Sequence, residues 1–239
     1  MREVCGARAR GGRWATRRRG AVAEATDPGL RRLAGELTAA MPSLVSDERR
    51  LALTLYRRLA RAEPVSIAEL SVDIGLDEAK VAAALERWTG VYYDGRGRIV
   101  GFWGLSIPPM AHCFVVDGRR LHTWCAWDAL FIPQLIDRRA EVESTSPLRD
   151  APIRLTVSPR AIEELSPPNA VVSMLAPCSA FDDDAIRSFC HFVHFFRSPK
   201  GAEPWMRKHP STFLLSVGEA FELGRLTNRA RFGSSLADS

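Results

Sequence analysis

The chain has 239 residues and a mass of 26.5 kDa, room for one or two domains. Hydrophobic residues make up 46% and charged residues 26%, which excludes a wholly disordered chain. The net charge of +5 is local: seven arginines and Glu3 put +6 into residues 1–20, leaving −1 over the other 219. The basic character therefore belongs to a tail, and the body is nearly neutral. No run of about 18 apolar residues occurs, so no transmembrane helix is expected. Arginine and glycine follow Met1 in place of the apolar core of a secretory signal, so a cytoplasmic protein is expected.

Residues 1–26 read as an arginine-rich disordered tail. A domain over residues 27–106 follows. Leu30, Leu33, Ala34, Leu37 and Met41 recur at helical spacing. Ser46 with Asp47 and Glu48 opens a second helix carrying Leu51, Leu55, Tyr56 and Leu59. Ser66 and Glu69 form a capping box for a third. Gly75 turns the chain, Asp77 caps, and Val81, Ala84, Leu85 and Trp88 mark the face of a fourth. Val91–Tyr93 and Ile99–Trp103 flank Asp94-Gly95-Arg96-Gly97 as a β-hairpin. Helices followed by a hairpin suggest a winged-helix-like domain. Its presumptive recognition helix, residues 77–88, carries a net −1, which argues against base reading in a DNA groove.

Residues 107–239 change character. His112–Val116 and Arg120–Trp124 read as strands about an Asp117-Gly118 turn. A helical stretch from Cys125 to Ile132 is expected to stop at Pro133. Ile153–Val157 reads as a strand, and Ser158-Pro159 as the start of a short helix to Leu165. Ala170–Leu175 is strand-like. Asp182, Asp183 and Asp184 open a helix toward Phe189, Val193–Phe196 is strand-like, and Val217–Arg231 is the last helix. Short strands mixed with short helices, without βαβ regularity, give an α+β domain with a mainly antiparallel sheet.

Five widely spaced cysteines, with no CxxC, argue against a disulfide framework or zinc ribbon. Cys113 and Cys178 sit in apolar, strand-like surroundings and read as packing residues, and Cys5 lies in the tail. Cys125 lies where a strand gives way to a helix, a place where the helix dipole lowers a thiol pKa. Asp128, three residues on, would share its helix face. Cys190 precedes His191-Phe192-Val193-His194-Phe195-Phe196, where alternation would put Phe192, His194 and Phe196 on one face. Cys190, His191 and His194 supply only part of a zinc site, with no tidy fourth ligand. Nucleotide, serine-hydrolase and zincin motifs are absent.

The segments YYDGRGRIVGFWGLS, RRLHTWCAWDALFIPQLI, IRLTVSP, SFCHFVHFF and SVGEAFELGRLTNR, in this order after PVSIAEL and VAAALE, carry a resemblance. From about Leu30 to Arg231 the chain resembles the organomercurial (alkylmercury) lyases of bacterial mercury resistance. That resemblance implies a winged-helix-like N-terminal domain joined to an α+β catalytic domain. It implies a site of two cysteines and an aspartate, here Cys125, Cys190 and Asp128, with Trp124 beside the first cysteine lining the pocket. Trp127, Phe131, Phe192 and Phe196 are further lining candidates. Two departures are visible. His191 stands where many members have a second consecutive cysteine, and a cysteine common between the motifs has no counterpart in Glu143–Pro152. The implied chemistry is protonolysis of a carbon–mercury bond: the Cys125 and Cys190 thiolates bind the mercury, and Asp128 relays the proton and is a candidate third ligand to the product ion. No resident cofactor is implied. Small-molecule thiols would be needed for turnover, and a mercuric reductase is a candidate acceptor of the ion. A winged-helix metal-responsive regulator, or a homologue that binds mercury without cleaving carbon, are the alternatives.

Overall fold

The structure is a computed structural model and describes residues 28–236 except 178, 182 and 183. The tail with Cys5, together with Cys178, Asp182 and Asp183, lies outside the described residues.

The apolar spacing of the first hundred residues builds four helices: α1 (Pro28–Ala40), α2 (Ser46–Leu59), α3 (Ile67–Ile74) and α4 (Glu78–Arg87). The Ser66–Glu69 capping box holds the start of α3, the Glu69 N–H donating to Ser66 Oγ at 3.2 Å. Arg58 on α2 grips Asp73 on α3 with two parallel bonds, from Nε and Nη2 to the two carboxylate oxygens. The hairpin β1 (Val91–Tyr93) and β2 (Ile99–Phe102) follows, then β3 (Leu105–Ser106). Next come β4 (His112–Val116) and β5 (Arg119–Thr123), joined at Asp117 and Gly118, both with positive φ as a tight hairpin turn demands.

After β5 the chain forms α5 (Asp128–Ile136), β6 (Ala140–Ser144), β7 (Ile153–Val157), β8 (Ile162–Ser166) and β9 (Val171–Leu175). Then come α6 (Ala185–Ser188), a 3-10 turn (Cys190–Phe192), β10 (Phe195–Phe196), α7 (Pro199–Lys208), β11 (Thr212–Ser216) and α8 (Val217–Phe232). One antiparallel sheet has the order β1-β2-β3-β5-β4-β6-β7-β8, so the first hairpin continues into the later strands through β3. A second, of order β10-β9-β11, is also antiparallel. The fold class is α+β. α8 packs against α1 and α5, and one connected apolar core runs from Leu30 to Phe232. Removing such side chains from water is the main stabilising term, about 1.5–3 kcal/mol for each large one.

Several elements differ from the sequence expectations. The stretch after Ser158-Pro159 is not a helix. Ser158 Oγ accepts from Ala161 N–H at 3.1 Å, closing a turn, and β8 then pairs with β7. A start signal for a helix was spent on a hairpin, because a free strand edge lay beside it. α5 begins at Asp128 rather than Cys125 and passes through Pro133 to Ile136. Burial of nearly every side chain in α5 offsets the backbone bond the proline cannot make. The strand expected over Val193–Phe196 shrinks to two residues, because Cys190–Phe192 coils into the 3-10 turn. β3, β6, β11, α7 and the 3-10 turn were not anticipated.

Candidate active site

Two segments far apart in sequence meet at the C-terminal end of β5. The first is the bend Trp124–Trp127 between β5 and α5. Trp124 N–H donates to Gly104 O at 2.9 Å, and Thr123 Oγ1 donates to Cys125 O at 3.0 Å. Trp127 Nε1 donates to Ala220 O on α8 at 3.1 Å. The second is the 3-10 turn at Cys190. Buried Ser173 on β9 anchors it: its Oγ donates to Phe192 O at 2.7 Å and accepts from His194 N–H at 3.0 Å. One backbone bond, Ala126 N–H to Val193 O at 3.1 Å, ties the two segments together.

The result brings Cys125 Sγ, an Asp128 carboxylate oxygen and Cys190 Sγ within 4.8 Å of one another. All three residues are buried, and both cysteines are free thiols. Asp128 Oδ2 accepts from Cys125 N–H at 2.8 Å. On the other side Gly104 (φ +99°) presses on the carboxylate; a methyl at that position would lie 2.5 Å from Asp128 Cγ. The two sulfurs lie within 4.8 Å, close enough for either thiol to lean its proton toward the other.

The electrostatics correct one expectation. Cys125 was expected to feel the helix dipole and acidify. It lies three residues before the first residue of α5 and is entirely buried. Burial raises its pKa well above the usual thiol value, and the bond to Cys190 and the Asp128 charge add to this. At Cys190 the bond from Cys125 lowers the pKa, but burial and the Asp128 charge outweigh it, so this thiol is raised too. Asp128 is pushed up to about 7 by burial, against the lowering effect of its bonds with Cys125. Near neutral pH the resting site therefore holds its thiol protons, and Asp128 sits where it can accept or release one.

A cavity of about 60 Å³ opens onto Asp128 and Cys190. Trp124, Trp127 and Phe131 line it, together with Trp103, Phe181 and Phe189. Phe192 and Phe196 do not. The 3-10 turn carries Phe192 toward His209, and Phe196 packs instead with Val171, Ala202 and Trp205. His191 and His194 lie against Trp205, at 6.0 and 4.9 Å between ring centres, away from the cysteines. Cys113 is half-buried, with Arg120 Nη1 donating to its sulfur at 3.0 Å.

The cavity also holds residues that the sequence did not single out, above all Tyr56 and Arg231. Tyr56 donates its hydroxyl proton to Trp103 O at 2.7 Å. Arg231, on α8, stacks its guanidinium on the Trp103 ring at 4.4 Å. Nothing in the helical pattern of residues 217–231 distinguishes that arginine from a solvated one.

Among known proteins, the family model described as alkylmercury lyase matches residues 105–228. An alkylmercury lyase of Pseudomonas putida is 44% identical over 177 residues, 74% of this chain and 82% of that protein. One from Bacillus cereus is 43% identical over 173 residues, 72% of this chain and 78% of that protein. In fold, the chain is similar to the crystal structure of the mercury-bound form of MerB2. The TM-score is 0.67 at 22% identity, over 84% of this chain and 97% of that one.

Proposed function

The chain belongs to the alkylmercury lyase family, and on that premise we propose that it cleaves the carbon–mercury bond of organomercurials by protonolysis. The observation that carries this reading is the convergence of two buried thiols and a carboxyl group within 4.8 Å, at the edge of an aromatic-lined cavity that Asp128 and Cys190 line.

Mercury here is substrate and product. A soft metal ion prefers thiolate ligands, and two buried thiols within 4.8 Å of each other offer a pair of them. An organomercurial arrives as R–Hg–SR′. Cys125 displaces R′S, which leaves as R′SH with the Cys125 proton, and R–Hg–S–Cys125 remains. Asp128 takes the Cys190 proton as general base, and the Cys190 thiolate adds to mercury. The added electron density makes the carbon basic. Protonated Asp128 then gives its proton to that carbon; the C–Hg electron pair becomes the new C–H bond, and R–H departs. Hg²⁺ stays on the two thiolates, with the Asp128 carboxylate restored beside it. Two R′SH molecules return the protons to the cysteines and carry off Hg(SR′)₂. A carboxyl group whose pKa sits at about 7 suits both halves of this relay.

In this reading Trp124 forms part of the wall around the organic group, and no resident cofactor takes part. The cycle needs a thiol-rich compartment, so we assign it to the cytoplasm, with a mercuric reductase as one acceptor for the ion. Among the described residues no helix is long and apolar enough to cross a membrane. We read α2–α4 with the β1–β2 hairpin as a winged-helix-like module that serves packing rather than nucleic-acid binding. The joining of its hairpin to the large sheet through β3 supports this.

The test is product release. Purified protein is incubated with phenylmercuric acetate and excess small-molecule thiol, and benzene is quantified by gas chromatography beside Cys125→Ser. Benzene from the wild type alone is expected. Mercury retained without benzene would instead make this a capture protein.

A further inference from the structure

Arg231 is 8% exposed and lines the cavity that also holds Asp128 and Cys190. Its Nε and Nη2 are buried and make no hydrogen bond. The face of its guanidinium is used, against Trp103 at 4.4 Å and Phe232 at 5.1 Å. The edge is not. A buried donor left unpaired costs about 1–3 kcal/mol, more when it is charged, so such an edge calls for a function. The neighbouring polar groups do not fill it: neither the Tyr56 hydroxyl oxygen nor the Asp128 carboxylate accepts a bond from Nε or Nη2. Burial lowers the Arg231 pKa only to about 10, which leaves the group cationic at neutral pH.

Nε and Nη2 lie on one edge of the guanidinium plane, spaced to match the two oxygens of a carboxylate. Arg58 uses this same pair of atoms to hold both oxygens of Asp73. A halide would occupy one donor at a time, and a phosphate would bring more charge than one buried cation balances.

We propose that the Nε/Nη2 edge of Arg231 is a two-point receptor for a carboxylate on the incoming organomercurial complex, carried on its carbon fragment or on the thiolate that delivers it. This rests on the lyase reading above and adds a selectivity that the two thiols and Asp128 do not supply. Arg231 is a binding residue here and takes no part in the proton relay.

The experiment compares matched substrates on the full chain. One pair is 4-carboxyphenylmercury against phenylmercury, both with mercaptoethanol. The other is phenylmercury with mercaptoacetate against phenylmercury with mercaptoethanol. For each pair, the ratio of KM values and the ratio of dissociation constants, read by quenching of tryptophan fluorescence, are measured in wild type, Arg231→Met and Arg231→Lys. The carboxylated-to-neutral ratio should rise about tenfold in Arg231→Met, with the kcat ratio holding, and Arg231→Lys should recover part of it as a point charge. A shift in the first pair assigns the carboxylate to the carbon fragment, and in the second to the delivering thiol. Ratios unchanged in both pairs overturn the proposal, including the outcome in which both members of a pair weaken equally because Arg231 only supports Trp103 or acts on Asp128. If Arg231→Met fails to fold, Arg231→Lys reads the same ratios. Absence of hydrocarbon product from the wild type with every substrate would count against the lyase reading, while the binding ratios would still decide the role of Arg231.

Discussion

Gly104 and Asp128 are in contact across the site: a Cβ on residue 104 would come within 2.5 Å of the Asp128 Cγ. Gly104 also has φ at +99°, a region that side chains rarely adopt. Gly104→Ala should therefore push the carboxyl group away from the two sulfurs as well as strain the backbone. We expect a loss of about 1–3 kcal/mol in stability, read by urea denaturation. We also expect product formation to fall at least tenfold, because catalysis tolerates little displacement of a proton donor. Wild-type turnover in a folded Gly104→Ala protein would show that the contact does not position Asp128.

The two thiols and the carboxyl group should separate capture from cleavage. Cys125→Ser and Cys190→Ser should each abolish hydrocarbon release. Asp128→Asn should still bind mercury through two thiols yet release product at least a hundredfold more slowly, since a general acid–base contributes about 10²–10⁴. Single-turnover product analysis alongside mercury retention on a desalting column distinguishes the two defects.

Burial of Asp128 gives a pH dependence with a definite sign. Its pKa rises from 3.8 to about 7 on folding, so the folded chain binds the proton more tightly than the unfolded chain. Stability from this group is present below about pH 4 and declines as pH rises toward 7, a change of the order of 4 kcal/mol. Asp128→Asn removes the titration. It should match the wild type near pH 4 and become progressively more stable than it up to about pH 7, with a constant advantage above. Thermal melts across that range check this. In catalysis the carboxylate form must accept the Cys190 proton, so kcat/KM should rise as pH passes about 7.

Ser173 holds the Cys190 turn from the neighbouring sheet with both its donor and its acceptor. Ser173→Ala leaves Phe192 O and His194 N–H without that partner in a buried place. The expected cost is about 1–3 kcal/mol, with kcat reduced more than the affinity for mercury. Restoration by Ser173→Thr would argue for the hydroxyl rather than for side-chain volume.

The parts of this site legible in the sequence were the ones encoded locally. Cys125 and Asp128 are three residues apart, and the strand-to-helix change around them was visible in the pattern, although the helix starts at Asp128. Cys190 is 65 residues beyond Cys125, and only family resemblance linked them; the link itself is the bond from Ala126 to Val193. Phe192 was misassigned because alternation assumes a strand and a 3-10 turn rotates its side chains differently, while Phe196, on β10, packs with Val171, Ala202 and Trp205 instead of the site. β6 was not anticipated: Ala140 and Val142 alternate with Glu141 and Glu143, as a strand with one buried face requires, but so short and charged a sequence resembles a loop. Arg231 was not legible: a buried arginine and a solvated one have the same letter, and the surroundings that distinguish them come from Trp103 and Phe232.

The burial of Cys125 and Cys190 also sets how they meet thiol reagents. Sulfurs that are 0% and 7% exposed offer almost no surface to bulk solvent, so in the folded chain a reagent without an organomercurial's affinity for sulfur should modify them slowly. Among the described thiols, half-buried Cys113 is then the first to take a large label, and the reactive pair stays silent in a routine thiol count. The two sulfurs with the greatest claim on mercury are thus the ones held out of bulk solvent, a form of selectivity set by access rather than by acidity.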